Sequence, residues 1–456
     1  MTESAQNRGC RARKSFEQAL KAHRAGHLEE AIRSYTESLA LNPDQPQTYN
    51  NMGVALRAAG AFHAAVASYH RAITLRNDDP GSHSNLGNAL RDLGRLEEAE
   101  ACHRKALELD SCYLKARYNL GLVLKDQGKF NEGIACLKEV VKRKPDYVDA
   151  HWDLALTLLM KGDLEAGFEE YEWRWRLAEN PPRQFDKPVW NGGSLDGRTV
   201  LLHAEQGIGD SIQFARYVAR VAKRSRRVVL ECQKPLVNLF ATLEGPAEIA
   251  ARGEVLPEFD LHAPLLSLPR IFNTRLDQIP IAESYLAADP ARGIKFAKTL
   301  EAKRFNIGLA WAGKPTHRND RNRTVGIEPF ITLLGTPGCT FYSLQIGQRA
   351  EDIFAYGCTG LIHDHANIIE DFADTAALVS ALDLVISVDT SICHLAGALG
   401  KPCWVVLPYT PDWRWLMARE DSPWYPSLRL FRQKSFGDWL GVFARIDAEL
   451  KAITDV

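Results

Sequence analysis

The stretch GVALRAAGAFHAAVASY at residues 53–69 returns at a fixed distance, as GNALRDLGRLEEAEACH at 87–103 and GLVLKDQGKFNEGIACL at 121–137. The glycine in the middle of each stretch belongs to a series spaced by 34 residues: Gly26, Gly60, Gly94, Gly128 and Gly162. A constant period of this length is typical of helix-turn-helix repeats that stack into a solenoid. The period therefore predicts that the first third of the chain is an array of helix pairs.

Further positions of the repeat carry residues of constant size. A small residue stands seven positions before each glycine of the series: Ala19, Gly53, Gly87, Gly121 and Ala155. A bulkier residue stands nine positions after it: Tyr35, Tyr69, His103, Leu137 and Tyr171. Small side chains allow the two helices of a repeat to approach closely, and the bulkier residues mark the buried face of the second helix. This pattern resembles the tetratricopeptide repeat family over residues 12–180, where we predict five repeats in an α solenoid.

The overall charge is almost balanced, with 56 Lys and Arg against 57 Asp and Glu in 456 residues. Such a balance gives no attraction to nucleic acid or to an anionic membrane. None of the nine cysteines belongs to a C-x-x-C pair, and no apolar run approaches the ~20 residues of a membrane span. We therefore expect a cytoplasmic protein with reduced thiols, no nucleic-acid partner, no transmembrane segment and a disordered N-terminus over residues 1–11.

The repeat pattern ends in the stretch NPPRQFDKPVWNGG at residues 180–193. Its three prolines and paired glycines cannot continue a helix, so we predict a linker over residues 181–194. We interpret Trp173 and Trp175, just before it, as a plug that seals the last repeat. Beyond the linker, short apolar runs alternate with helical patterns, and we predict strands at 199–204, 228–231, 307–311, 340–344, 384–388 and 403–407. These predict two α/β units, residues 195–295 and 296–456, the second ending in a helix, with a crevice between them.

Ligands of open α/β sheets bind where loops leave the carboxyl ends of the strands. The first predicted strand is followed by Gly207, Gly209 and Asp210 at the start of a helix. Glycines permit a tight turn there, and the free N–H groups of a helix N-terminus favour an anion. Asp210 then has two interpretations: a reactive carboxylate in the crevice, or a cap of the helix N-terminus.

A second loop, VDTSICHLAGALGKP at residues 388–402, follows the strand at 384–388. Asp389, Thr390 and Ser391 are helix-capping residues, and their backbone N–H groups would form a cradle for a diphosphate. His394 lies on the first turns of the same helix. It would either reach a phosphate or a sugar hydroxyl, or bond to neighbouring backbone.

The loop after the strand at 307–311, WAGKPTHRNDRNRTVG, is rich in cations: Lys314, His317, Arg318, Arg321 and Arg323. These cations would bind phosphate if they face the crevice, or would only be solvated if the loop lies on the surface.

The loops GIGDSIQFARYV and VDTSICHLAGALGKP resemble those of GT-B glycosyltransferases of family nine, the heptosyltransferase type, over residues 195–445. The combination with repeats resembles bacterial tetratricopeptide proteins that carry a glycosyltransferase domain, some of which modify proteins. The resemblance implies two Rossmann-like subdomains, the first for the acceptor and the second for a nucleotide-sugar, with ADP-heptose as the family's donor. It implies that Asp210 is the general base and that the donor is bound by Gly207, Gly209, Lys314, Arg321, Arg323, Gln345 (at the nucleobase), Asp389, Thr390, Ser391, His394 and Asp412. It also implies catalysis without metal or cofactor.

Asn51, Asn85 and Asn119 hold the same position in three successive repeats, two residues before the small residue. Amide side chains donate and accept hydrogen bonds, so a ladder of them suits the backbone of an extended peptide, although Asn at this place also serves packing between helices. We therefore predict a glycosyltransferase whose repeats dock a protein acceptor. The alternatives are an inactive scaffold that binds a protein partner and another GT-B nucleotide-sugar enzyme, such as an epimerase or a phosphorylase.

Overall fold

The computed structural model describes residues 5–281, 283–316 and 320–454. The chain divides into two compact units, Met1–Leu158 and Leu159–Val456. In the part of the first unit that the structure describes, all secondary structure is helical. Its helices are α1 (Ala5–Arg24), α2 (Leu28–Leu41), α3 (Pro46–Ala58), α4 (Phe62–Leu75), α5 (Pro80–Asp92), α6 (Leu96–Leu109), α7 (Leu114–Asp126), α8 (Phe130–Arg143) and α9 (Val148–Lys161). With α10 (Leu164–Tyr171) they form five helix pairs, as the glycine period predicts.

The period of 34 residues has a conformational cause. All five glycines of the series have a positive φ, between 73° and 92°, at the turn between the two helices of a pair. Glycine adopts this left-handed conformation at no steric cost, whereas a side chain opposes it. The turn therefore selects glycine once in every repeat.

The small residues before the turn are places where two helices nearly touch. A Cβ atom added at Gly53 would lie 2.6 Å from the ring of Tyr69, and one at Gly87 would lie 2.7 Å from Nε2 of His103. Neither distance is compatible with a side chain unless the helices separate. The predicted close approach within each pair is thus confirmed at these positions.

The N-terminus differs from the prediction. We predicted disorder over residues 1–11, but α1 begins at Ala5, so residues 5–11 are helical. The segment is polar, and its described side chains, at residues 7–11, are exposed. However, it contains good helix formers, and extending an existing helix costs far less than starting one.

The second unit consists of α10, the 3₁₀ helix Glu172–Arg176 and two parallel sheets. The strands are β1 (Thr199–His203), β2 (Arg227–Cys232), β3 (Glu248–Ala251), β4 (Leu261–Pro264), β5 (Phe305–Ala310), β6 (Cys339–Ser343), β7 (Ile362–Asp364), β8 (Leu384–Val388), β9 (Cys403–Leu407) and β10 (Leu428–Arg432). The helices are α11 (Ile208–Ala215), α12 (Val218–Ala222), α13 (Val237–Phe240), α14 (Leu268–Ile271), α15 (Pro290–Ala297), α16 (Asp320–Arg323), α17 (Glu328–Ile331), α18 (Asp352–Ala355), α19 (Phe372–Ala381), α20 (Ser391–Ala398) and α21 (Trp439–Thr454).

The order of the strands defines where a ligand would bind. The smaller sheet has the order β3-β2-β1-β4 and the larger sheet the order β10-β9-β8-β5-β6-β7. Read from β7, the larger sheet has the order of a doubly wound nucleotide-binding fold, in which the chain reverses its direction of progress between β5 and β8. The smaller sheet makes the same reversal between β1 and β4. These two points are the switch points of the sheets, and loops diverge there to leave a crevice.

The division into compact units does not coincide with the predicted end of the repeats at residue 180. Residues 159–176, the second half of the fifth repeat, belong to the second unit together with the predicted linker over 181–194. Trp190 of the predicted linker is buried, and its backbone N–H donates to the carbonyl of His262 on β4 at 2.7 Å. The proline-rich segment is therefore packed along the edge of the smaller sheet. The segment contains no helix, but its backbone hydrogen bonds to β4 hold it in place.

Candidate functional site

The switch point of the larger sheet lies between the loops that follow β5 and β8. Arg323, on α16, reaches across it: its Nη1 donates to the carbonyl of Asp389 at 3.2 Å. A Cβ added at Gly313 would lie 2.6 Å from Nη2 of Arg323, so this glycine makes room for the guanidinium. Among the described residues of this loop, Arg323 is thus the cation that faces the switch point.

The other predicted cations of the loop are placed differently or are not described. Lys314 is exposed to solvent. His317 and Arg318 lie outside the described residues, and for Arg321 only the helical backbone is described. Their predicted part in phosphate binding therefore remains a prediction.

The N-terminus of α20 faces the same point. Thr390 caps this helix, since its Oγ1 accepts from the N–H of Ile392 at 3.3 Å, and Ser391 is the first helical residue. Burial, together with the neighbouring Asp412 carboxylate, raises the pKa of Asp389 to about 6. The group is nevertheless mostly ionised at pH 7, because its raised pKa still lies below that pH.

The loop that holds Asp210 meets α20 directly. A Cβ added at Gly209 would lie 2.8 Å from Cδ2 of His394 and 3.5 Å from Cα of Ser391. No side chain fits at Gly209, and the two loops singled out in the sequence therefore come together in space. The local pairing of helices supports this, because α11 packs against α20.

Asp210 lies in the first turn of α11, and both of its carboxylate oxygens are engaged. Oδ2 accepts from the N–H of Gly207 at 2.8 Å, as in a helix cap. Oδ1 accepts from Nη2 of Arg414 at 2.5 Å. Asp210 thus helps to satisfy the helix N-terminus, but from the third position of the helix, since the N-cap residue is Gly207 and not Asp210 as that interpretation had it. It also lies beside the loops of the larger sheet.

Sequence reasoning missed Arg414, although its guanidinium joins Asp210 and Gln213 of α11 to Asp412. Its guanidinium is buried and pairs with Asp210 and, at 2.8 Å, with Asp412, while its Nε bonds to Gln213 of α11. Burial alone would lower the pKa of Arg414, but the Asp412 and Asp210 carboxylates outweigh it and raise the pKa. The only signal in the sequence was an arginine between two tryptophans after β9, and its partners are distant along the chain.

His394 is held in place by aromatic neighbours. Its Nδ1 lies 3.0 Å from the hydroxyl of Tyr425, and its ring stacks on Trp415 with centroids 5.5 Å apart. Burial, reinforced by Arg414, lowers the pKa of His394 well below its ordinary value. The imidazole is therefore neutral at physiological pH, which suits a hydrogen bond to a hydroxyl better than the binding of a phosphate.

Asp389, Cys393 and His394 have potential ligand atoms within 4.8 Å of one another. A metal would need the thiolate, but burial raises the pKa of Cys393 well above its ordinary value, and the Sγ donates to the carbonyl of Thr390 at 2.9 Å. Without the thiolate only two ligands remain, which is fewer than transition-metal sites use. The donor set thus fits a resident metal poorly, and the prediction of metal-independent chemistry remains a prediction.

The structure gives Gln345 a role other than nucleobase contact. Its Oε1 accepts from the N–H groups of Trp311 and Ala312 at 3.1 and 3.0 Å, and its Nε2 donates to the carbonyl of Ala312 at 3.1 Å. The amide therefore replaces a missing strand partner at the end of β5. Its side chain is buried, and the predicted contact with a nucleobase remains a prediction.

The predicted asparagine ladder is in part a packing device. Nδ2 of Asn85 donates to Asn50 of the preceding repeat at 3.0 Å, and Nδ2 of Asn119 lies 3.5 Å from Oγ of Ser84. Asn51 accepts from Gln47 of its own helix at 3.1 Å. All three predicted residues are only half-buried, so each also presents part of its amide to solvent. Ion pairs on the same helices link successive repeats: Arg57 with Asp92, Arg91 with Asp126 and Lys125 with Asp153.

Comparison with known proteins identifies the repeats. A tetratricopeptide repeat model matches residues 21–60, 53–90 and 87–128, and a second one matches residues 118–176. The region is therefore a tetratricopeptide array, a module whose stacked helices typically form surfaces for peptide or protein partners. No described helix has the length and the apolar character that crossing a bilayer would require.

The chain is 27% identical over 316 residues to Protein FlbA of Caulobacter vibrioides, a match that covers 64% of this chain and 53% of FlbA. The chain thus spans about half the length of that relative. Among solved structures, MamA of Desulfovibrio magneticus RS-1 is 22% identical, covering 36% of this chain and 92% of MamA with a TM-score of 0.34. YrrB, described as a tetratricopeptide protein with an unusual peptide-binding site, is 20% identical, covering 37% and 86% with a TM-score of 0.32.

Proposed function

We propose that the second unit is a glycosyltransferase that moves a sugar from a nucleotide-sugar donor to an acceptor hydroxyl, and that the repeats dock a protein acceptor. The observation that carries the proposal is the convergence at one switch point of the Arg323 guanidinium and the N-terminus of α20, against which the Asp210 loop packs. The GT-B assignment rests on the sheet orders together with the two loop sequences.

The donor side follows from charge. An arginine binds phosphate through two parallel hydrogen bonds, and a helix N-terminus adds backbone donors and a favourable dipole. Arg323 and the first residues of α20 offer these at the same point. They would stabilise the diphosphate as the bond between it and the anomeric carbon breaks, which is when its negative charge grows.

The acceptor side follows from Asp210. Each carboxylate oxygen has two lone pairs, so Oδ1 and Oδ2 keep acceptor capacity beyond their bonds to Arg414 and Gly207. In the proposed reaction Asp210 takes the proton of the acceptor hydroxyl, while the oxygen of that hydroxyl forms the new bond to the anomeric carbon. Arg414 holds the orientation of the carboxylate, and neutral His394 would bond to a hydroxyl of the donor sugar.

Calorimetry with a panel of ADP-, UDP-, GDP-, dTDP- and CMP-sugars tests the donor side. We expect one class to bind and Arg323→Ala to weaken it by about tenfold or more, because a charged hydrogen-bond donor is lost. Arg429→Ala is the matched control, since Arg429, on the outermost strand β10, makes a half-exposed ion pair with Glu449 of α21. Binding to no member of the panel, or equal weakening by both variants, would contradict the donor site and favour the scaffold.

Two further variants test the acceptor side with the same donor. Asp210→Asn retains an acceptor for the Gly207 N–H, so the loop should stay folded while turnover falls by about 10²–10⁴-fold and donor affinity is kept. Wild-type turnover in this variant would refute the general base. Asn51→Ala should raise the KM for a protein acceptor without changing donor affinity. The hydrogen bond that the substitution removes joins Asn51 to Gln47 of the same helix, so its loss should not disturb the donor site.

A further inference from the structure

We propose that Arg174, at the end of the fifth repeat, is a positioning residue that holds the Gln206–Asp210 loop in its active geometry. The segment Leu164–Arg176 then belongs both to the candidate site and to the repeat array, of which it is the last element. The catalytic consequence rests on the proposed function, whereas the structural role of Arg174 can be tested without it.

Arg174 is buried and all its donors are used. Nε and Nη2 bind the two carboxylate oxygens of Glu205 at 2.8 and 3.2 Å. Nη1 donates to Glu172 at 2.7 Å and to the carbonyl of Tyr171 at 3.3 Å, and Nη2 also donates to Oγ of Ser267 at 2.7 Å. These bonds satisfy the five N–H groups of a guanidinium, an arrangement that fixes its position on every side.

The place of this guanidinium is informative. Glu205 stands in the loop after β1 and Ser267 in the loop after β4, and β1 and β4 are the neighbouring strands at the switch point of the smaller sheet. Open α/β sheets bind ligands at such points. Here the chain's own Arg174 occupies the point and ties its two loops together.

Further contacts extend from the same segment to both loops around Asp210. The hydroxyl of Tyr171 donates to Oε1 of Gln206 at 3.3 Å. Outside the segment, Nε2 of Gln233, just after β2, donates to the carbonyl of the same residue at 2.9 Å. Phe168 packs edge-on against Trp413, with ring centroids 5.5 Å apart. Trp413 directly precedes Arg414, the partner of Asp210. The segment therefore supports the carboxylate from the Gln206 side and from the Arg414 side.

The two tryptophans that we interpret as a plug do not fill the core of this segment; the buried side chain is that of Arg174 between them. Trp173 and Trp175 are only half-buried, and each lies against an arginine: Trp175 over Arg174 at 4.4 Å and Trp173 over Arg176 at 4.2 Å. Trp175 thus shields the guanidinium of Arg174 from solvent. The charged residue between the tryptophans is the one that joins the segment to the sheet.

Glu205 makes the arrangement sensitive to the loss of Arg174. Burial raises the pKa of Glu205 to about 7, even though Arg174 opposes the shift. Removing the arginine alone would leave a buried carboxyl group with no cation, which is strongly destabilising. A clean test therefore pairs Arg174→Met with Glu205→Gln, and adds Arg174→Lys, which keeps the charge but cannot make the bidentate contact.

Hydrogen exchange read by mass spectrometry on the full-length protein tests the structural role. We expect peptides within residues 204–212 to exchange about tenfold faster or more in both Arg174 variants, while peptides of β8 and β9 are unchanged. Arg176→Met is the matched control: it removes an exposed arginine from the same 3₁₀ helix and should leave residues 204–212 as in the wild type. Wild-type exchange of this loop, or equally faster exchange throughout the second unit, would overturn the proposal.

Turnover with the donor identified by calorimetry tests the catalytic consequence. In the double variant we expect turnover to fall by about tenfold or more with a much smaller change in donor affinity, because Arg323 and the N-terminus of α20 lie outside the loosened loop, although Gly207 and Gly209 lie within it. A loosened loop with wild-type turnover would overturn the positioning role in catalysis. If no nucleotide-sugar binds the wild-type protein, the proposed function fails, and the exchange experiment still decides whether Arg174 holds the loop.

Discussion

Replacing His103 with leucine should make the first unit markedly less sensitive to acid. His103 is fully buried, its Nδ1 lies 3.3 Å from Oγ of Ser84, and its Nε2 has no hydrogen-bond partner among the described residues. Burial, with a smaller effect of the Arg91 charge, lowers the pKa of His103 to about 3. Leucine is a natural substitute, because Leu137 holds the same position in the next repeat.

The magnitude follows from the difference between the folded and unfolded pKa. An unfolded histidine has a pKa near 6.5, so between about pH 6.5 and 3 the unfolded state binds a proton that the folded state does not. The stability that depends on neutral His103 is complete above pH 6.5 and is lost as the pH falls. At pH 4.5 the loss is about 2 pH units × 1.36 kcal/mol, or about 2.7 kcal/mol.

Urea unfolding of the full-length protein at pH 7.5 and pH 4.5, with hydrogen exchange to assign the transition to residues of α5 and α6, measures this effect. Other carboxylates and histidines titrate in both proteins, so the comparison is the difference between wild type and His103→Leu at each pH. We expect the variant to gain about 2.7 kcal/mol relative to wild type on going to pH 4.5. An equal acid loss in the two proteins would refute the reasoning.

Two other predictions concern the turn of the repeats and the loop after β5. Gly60→Ala should lower the free energy of unfolding by about 1 kcal/mol, and Gly60→Asn by less, because asparagine tolerates the φ of +79° that this turn requires; equal losses in urea unfolding would contradict the conformational explanation. Gln345→Leu should lower the free energy of unfolding by about 2–4 kcal/mol and speed hydrogen exchange at residues 311–312, because two buried N–H groups lose their acceptor. Unchanged exchange there would show that the amide is not what holds the loop.

The strands show which sequence signals are sufficient to predict a strand. The six predicted strands correspond to β1, β2, β5, β6, β8 and β9, which all lie inside the two sheets, and the four strands without a prediction, β3, β4, β7 and β10, are the sheet edges. Interior strands of parallel sheets are buried on both faces and appear as continuous apolar runs. An edge strand such as Ile362–Asp364, with two exposed residues of three, carries no such run.

The residues of the candidate site also divide into those that a local sequence pattern reveals and those that it does not. The loops around Gly209 and Ser391 were found because glycines and capping residues at a helix N-terminus are local signals. The ligand contacts of Gln345 and of the asparagine ladder remain predictions, and their hydrogen bonds within the protein could not be read from the sequence, because an amide fits many partners and only the fold determines which are near.

The sequence by itself determined the repeat, because a left-handed turn and a close helix contact demand particular residues at fixed spacing. It also determined the interior strands and the two loops that meet at Gly209 and His394. Only the tertiary structure decided the partners of the buried arginines, Arg174 with Glu205 and Arg414 with Asp210, which lie 31 and 204 residues apart in the chain. A buried charge must find its counter-charge wherever the fold brings one, and no local pattern records that distance.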